Sequence, residues 1–103
     1  MKQIYIWQLP ISNKKCFRPV DYDTVEIRDY VLVYQFEEDF SLKKIKTYLE
    51  ELYGRLNINE PSDYHARSMS VSDLITIREN NKIIANYVVD LVGFKKIQVK
   101  GID

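Results

Sequence analysis

With 103 residues and 15 basic against 15 acidic side chains, the chain has no net charge to draw it toward nucleic acid or an anionic membrane, and it is no acidic mimic of DNA. Apolar residues at 46% and aromatics at 13% suffice for one domain with a thin core. Cys16 is the only cysteine, which excludes an internal disulfide framework and fits a reducing cytoplasm; no signal-like segment opens the chain, and no apolar run approaches the roughly 20 residues of a membrane span.

Ile4–Leu9 is rich in β-branched and aromatic residues and predicts a first strand that ends at Pro10. Residues 10–29 are polar and charged, contain Pro10 and Pro19, and predict a long irregular excursion, of the kind that carries function or mobility in a small domain. Charge is ordered along this part of the chain. Residues 1–20 hold Lys2, Lys14, Lys15 and Arg18 and no acid, whereas residues 21–40 hold Asp21, Asp23, Glu26, Asp29, Glu37, Glu38 and Asp39 against Arg28. The simplest expectation is that the two stretches pair with each other; the other is a polarised surface that selects a partner.

Tyr30–Phe36 is apolar on both alternating faces, with Tyr30, Leu32, Tyr34 and Phe36 on one and Val31 and Val33 on the other. That pattern predicts a strand central in its sheet. Ser41 to about Asn57 predicts the one main helix, because Leu42, Ile45, Leu49, Leu52 and Leu56 recur at spacings of three and four and make a single apolar stripe. Ser41 suits the N-cap, with Phe40 stapled against Ile45. Lys43, Lys44 and Lys46 in the first turns run against the helix dipole, so a basic helix start could face an acidic partner. Residues 59–63 are turn chemistry. Ser72–Arg78 and Lys82–Leu91 predict two antiparallel strands with Asn80-Asn81 at the tip, since Asn tolerates positive φ. Gly93 breaks the run, and Phe94–Val99 predicts a lysine-rich edge strand. The expected fold is α+β: a small, mostly antiparallel sheet of four to five strands with one main helix packed on it.

His65, Ser68 or Ser70, and Asp73 have the residue types of a hydrolase triad, but they crowd into residues 65–73 with no nucleophile elbow and no glycine-built oxyanion hole. His65 has no second histidine or suitably spaced cysteine to share a metal. No catalytic residue, cofactor site or metal site is expected. Ser70, Ser72 and Asp73 read as structural, because short polar side chains bond nearby backbone. Strand phase puts Asp73 on the inward face with Ile75 and Ile77, where its carboxylate needs donors. Tyr5, Tyr30, Tyr34, Tyr48 and Tyr87 fall in predicted elements and are assigned to the core or its edge. Tyr22 and Tyr64 are the exposed candidates, and with His65 and Arg67 they make up the expected partner-binding surface: the excursion and the irregular approach to the serine-rich run. Lys95, Lys96 and Lys100 read as a solvated basic edge.

Pro61-Ser62-Asp63-Tyr64, then Arg67-Ser68-Met69-Ser70-Val71-Ser72-Asp73-Leu74-Ile75, then Tyr87-Val88-Val89-Asp90 and Gly93-Phe94-Lys95 resemble the YodL-like domain family. The resemblance covers about residues 30–97 and includes a helix where Ser41–Asn57 lies. Met69 stands where that pattern has Leu, a conservative change in packing. His65-Ala66-Arg67 stands where it often has Gly-His, so no role tied to that pair carries over. The resemblance implies a largely uncharacterised bacterial family, frequent in proteins of phages, plasmids and conjugative elements. It implies an accessory or regulatory protein; joined to the composition, the expectation is a single cytoplasmic domain over 1–103, without membrane attachment, that is non-enzymatic and binds, and can inhibit, a bacterial protein partner. The alternative is a nucleic-acid-associated accessory factor of such an element. No family residue is known to be catalytic, so none is carried over.

Overall fold

The structure, a computed structural model, describes residues 1–102. The elements run in the order β1 (Lys2–Gln8), β2 (Thr24–Glu26), β3 (Val31–Glu38), α1 (Ile45–Asn57), β4 (Leu74–Glu79), β5 (Lys82–Val89), β6 (Phe94–Lys96) and β7 (Gln98–Lys100). Five strands form an antiparallel sheet in the order β3-β1-β4-β5-β6, with α1 on one face; β2 and β7 pair in parallel as a small second sheet. No helix among the described residues is long and apolar enough to cross a membrane.

Alternation decides what each strand gives to each face. Ile4 and Ile6 of β1 and Ile75 and Ile77 of β4 meet Tyr48, Leu49, Leu52 and Leu56 of α1 in a first core. Leu74, Ile75, Thr76 and Ile77 are all buried in succession, so β4 is covered on both faces. The second face is covered by the excursion. Three turn hydrogen bonds fold it, from Asn13 N to Pro10 O at 2.9 Å, Cys16 N to Asn13 O at 3.1 Å and Arg18 N to Lys15 O at 3.1 Å. It then lays Cys16, Val20, Val25 and Tyr30, with Leu9, against Leu74, Val88 and Ile97 as a second core. The expected irregular segment is thus an ordered layer.

The 80–81 hairpin holds as expected: Asn80 and Asn81 adopt φ of 53° and 63°, and Glu79 faces Lys82 across the turn. The expected single edge strand over 94–99 divides at Ile97. That side chain enters the second core, so β6 stays on the main sheet while β7 turns to β2.

Three expectations fail for physical reasons. First, β3 is an edge strand and not a central one, and Val31 and Leu32 stay 55% and 40% exposed. Its register slips between Ile6 and Trp7, so Val33 has no partner in β1, and Val33 packs on the first core beside Tyr34 and Phe36. What looked like two apolar faces is one face with a bulge. Second, Leu42 is exposed, because it lies in the short 3-10 turn Leu42–Lys44 that leads into α1; Ser41 caps that turn, its Oγ accepting from Lys43 N at 3.3 Å. Phe40 staples the helix by lying flat on Tyr48, ring centroids 3.8 Å apart. Third, the basic and acidic stretches barely pair. Only Lys2 crosses between them, to Asp39 at 3.4 Å, and it also reaches Glu79 at 3.6 Å. Among the described residues Lys14, Lys15 and Arg18 enter no ion pair.

Candidate functional site

The end of β1, the serine-rich run and the first turns of the excursion meet at one corner of the sheet. Gln8 continues the helix-side face of β1 and lies beside Asp73, one residue before β4 begins. Asp73 is fully buried. Its Oδ2 accepts from Ser70 N at 2.9 Å and from Gln8 Nε2 at 3.0 Å, while Oδ1 has no hydrogen-bond partner. Burial pushes the Asp73 carboxyl up to about 6, against the opposing pull of those two donors and of Arg67. Asp73 thus points inward and accepts from a nearby backbone amide, the placement expected of it. Asn57 at the end of α1 holds the run from the other side, accepting from Met69 N at 2.6 Å and donating to Met69 O at 3.0 Å.

Arg67 ties the three segments together. Its Nη2 donates to Leu9 O at 2.7 Å, lies 3.6 Å from Cys16 Sγ and 3.8 Å from Asp73 Oδ1, and its guanidinium stands 5.1 Å from the centre of the Phe17 ring. Phe17 N donates to Ser72 Oγ at 3.1 Å. Both residues of that bond have left-handed backbones, φ 65° at Phe17 and 86° at Ser72, a conformation that side-chain-bearing residues rarely adopt. Phe17 is nevertheless 48% exposed. A strained pair holds an aromatic ring on the surface, backed by a cation.

A family model for the YodL-like domain matches residues 3–99. The chain belongs to the YodL-like domain family. The match reaches ahead of the motifs at 30–97 and takes in β1 and the excursion that covers the second face of the sheet. No curated protein and no solved structure matches the chain.

Within this YodL-like domain the four expected surface residues part ways. Tyr64 is only 4% exposed and is not a surface anchor. Its hydroxyl donates to Arg67 O at 2.6 Å, its ring stands edge-on to Tyr34, and burial pushes its hydroxyl up to about 12. A turn bond from Tyr64 N to Pro61 O at 3.0 Å swings the ring inward. His65 is exposed, as expected. Arg67 is half-buried and pairs with Asp73 and the Leu9 carbonyl, not with the acidic stretch 21–39. Tyr22 is half-buried, with its hydroxyl inside and without a hydrogen-bond partner; burial raises its ionisation above the ordinary tyrosine value. Lys15 Nζ lies 4.4 Å over its ring, and the two line a basic cleft of about 570 Å³ with Lys14, Arg18, Pro19 and Asp21. Lys95, expected to be solvated, donates to Tyr22 O at 2.7 Å and pairs with Asp23 at 3.0 Å.

The sequence reading missed Phe17, Gln8 and Asn57. An aromatic stranded between Lys14-Lys15 and Arg18-Pro19 was a usable signal for Phe17. Gln8 and Asn57 act over separations of many residues and carry no local mark.

Proposed function

We propose that this YodL-like domain is a non-enzymatic accessory protein that recognises, and thereby regulates or inhibits, a bacterial protein partner. Phage or other mobile-element origin is part of the proposal and follows from the family resemblance. The observation that carries the reading is Phe17, an exposed aromatic held in a strained backbone by Ser72 Oγ and backed by Arg67. Left-handed backbone costs about 1–2 kcal/mol at a residue with a side chain. Aromatic rings backed by arginine are typical anchors of protein interfaces, and here they stand on turns fixed to a sheet.

The test is affinity capture followed by a binding titration. Wild type and Phe17→Ala are compared for one captured protein, with far-UV circular dichroism as the folding control. The expected result is a partner that loses at least about tenfold in affinity for Phe17→Ala, the size of an interface anchor. A folded variant that binds that partner undiminished sinks the assignment. The basic cleft favours a second reading, a nucleic-acid accessory factor, because Lys14, Lys15 and Arg18 line it and among the described residues form no ion pair. In that case binding to DNA or RNA weakens steeply with salt, and replacing the three cations lowers the log-log slope by about 2–3.

A further inference from the structure

A second cleft, of about 320 Å³, opens between α1 and the β5–β6 hairpin, and Phe17 is not among its lining residues. Tyr53 and Phe94 form its walls, ring centroids 6.4 Å apart and edge to face, and Val71 and Val89 also line it. Two carboxylates border it, Glu50 on α1 and Asp90 at the hairpin. Asp90 is held in place. Its Oδ1 accepts from Val20 N at 3.1 Å and Leu91 N at 2.8 Å, and these two donors keep its carboxyl below the ordinary carboxylate range. Among the described residues neither Asp90 Oδ2 nor Glu50 takes a protein donor or cation. The charge of Lys95 acts on Asp90, but Lys95 is engaged by Asp23 and the Tyr22 carbonyl.

The rim carries a further oddity. Asp90 N donates to Gly93 O at 3.0 Å, so Leu91 and Val92 are the two-residue tip of the hairpin. Such tips favour Asn, Asp and Gly. Here two aliphatic side chains occupy it and stand 65% and 92% exposed. Water gains nothing from that choice, and a small cation would not need it.

We propose that the cleft and its tip dock an extended segment of a protein partner that presents a lysine or arginine side chain flanked by an apolar residue. The aliphatic stem lies along Tyr53 and Phe94, the cationic head meets Asp90 Oδ2 and Glu50, and the flanking apolar residue covers Leu91 and Val92. Aromatic faces and carboxylates together select a cation on an apolar stem. The volume falls at the small end of ordinary ligand clefts and suits one side chain. The proposal rests on the reading that the partner is a protein, but its test needs no partner in hand.

The probe is an acetylated, amidated tripeptide of leucine, arginine and leucine, titrated into the isotope-labelled protein by NMR. The amides of Tyr53, Leu91, Gly93 and Phe94 should shift together. The tripeptide with citrulline in place of arginine should bind at least about fivefold more weakly, because it keeps the shape and loses the charge. Glu50→Gln and Tyr53→Ala, both at exposed positions, should each weaken the arginine peptide about two- to fivefold and leave the fold intact. Three results overturn the proposal: no shifts at the cleft, equal binding of the citrulline peptide, or equal binding of free arginine amide, which would make the cleft a small-cation site. A failure here leaves the Phe17→Ala result on the captured partner standing, so the two readings fall separately.

Discussion

On one side of β1 and β4 a regular helix lays Leu49, Leu52 and Leu56 over Ile4, Ile6, Ile75 and Ile77. On the other, irregular chain lays Cys16, Val20, Val25 and Tyr30 over Leu74 and Val88. The helix meets its own backbone hydrogen-bonding needs, so it requires only an apolar stripe to dock. The excursion does so only in part. Asn13, Cys16 and Arg18 N close turns on its own carbonyls, but Phe17 N and Val20 N are met by side chains from elsewhere, Ser72 Oγ and Asp90 Oδ1. An irregular layer is therefore only as firm as its cross-links, and here these come from the serine-rich run and the hairpin that mark the family.

The largest effects compare the two cores directly. Leu52→Ala on the helix face and Leu74→Ala on the excursion face should each cost about 2–5 kcal/mol in denaturant unfolding, since both side chains are fully buried. A cost below about 1 kcal/mol at Leu74 would mean that the excursion drapes loosely and repacks at will.

Asp73 joins the two layers, and its variants come next. Asp73→Ala leaves Ser70 N without its acceptor and Gln8 Nε2 with Arg67 O alone, and should cost about 1–3 kcal/mol. Asp73→Asn keeps an acceptor and removes the charge. Because burial raises the folded carboxyl from 3.8 to about 6, the neutral form is the favoured one in the fold. Its stabilising contribution is complete below the unfolded value and is lost as pH rises from roughly 4 to 6. Wild type should thus lose stability relative to Asp73→Asn across that window, by an amount on the order of 3 kcal/mol. A flat difference between the two from pH 3.5 to 7 would contradict the buried charge.

Smaller changes separate strain from bonding. Ser72→Ala removes the acceptor for Phe17 N and keeps a side chain at φ 86°; Ser72→Gly removes the acceptor but relieves the backbone. The glycine variant should be the more stable by about 1 kcal/mol in thermal melts. Asn81→Gly at the hairpin tip touches neither layer and should raise stability by a few tenths of a kcal/mol, a control for effects confined to the strands.

The helix and the 80–81 hairpin were legible because period and turn chemistry are local. Leu49, Leu52 and Leu56 share a face whatever the tertiary context, and Asn80-Asn81 fits the positive φ that the turn demands. Asp73 was legible for the same reason, through strand phase with Ile75 and Ile77. The second core was not, because Leu9, Cys16, Val20, Val25 and Tyr30 have no common period. Nor was the edge position of β3, since a bulge at Val33 imitates a second apolar face. Tyr64 and Arg67 were placed on the working surface because of the loop they occupy. Their burial depends on Tyr34, Leu9 and Asp73, contacts made only once the chain has closed. Phe17 takes the exposed position instead.

Amide hydrogen exchange over residues 16–20 tests most directly whether the excursion is a fixed layer locked by the serine-rich run. Cys16, Phe17 and Val20 donate to Asn13 O, Ser72 Oγ and Asp90 Oδ1, so their amides should be protected well above that of Lys14 at the same surface. In Ser72→Ala the protection of Phe17 should fall while α1 and β4 keep theirs. Free exchange of all three amides in the wild type, with α1 and β4 still protected, would show that the second layer is not held and would contradict the account.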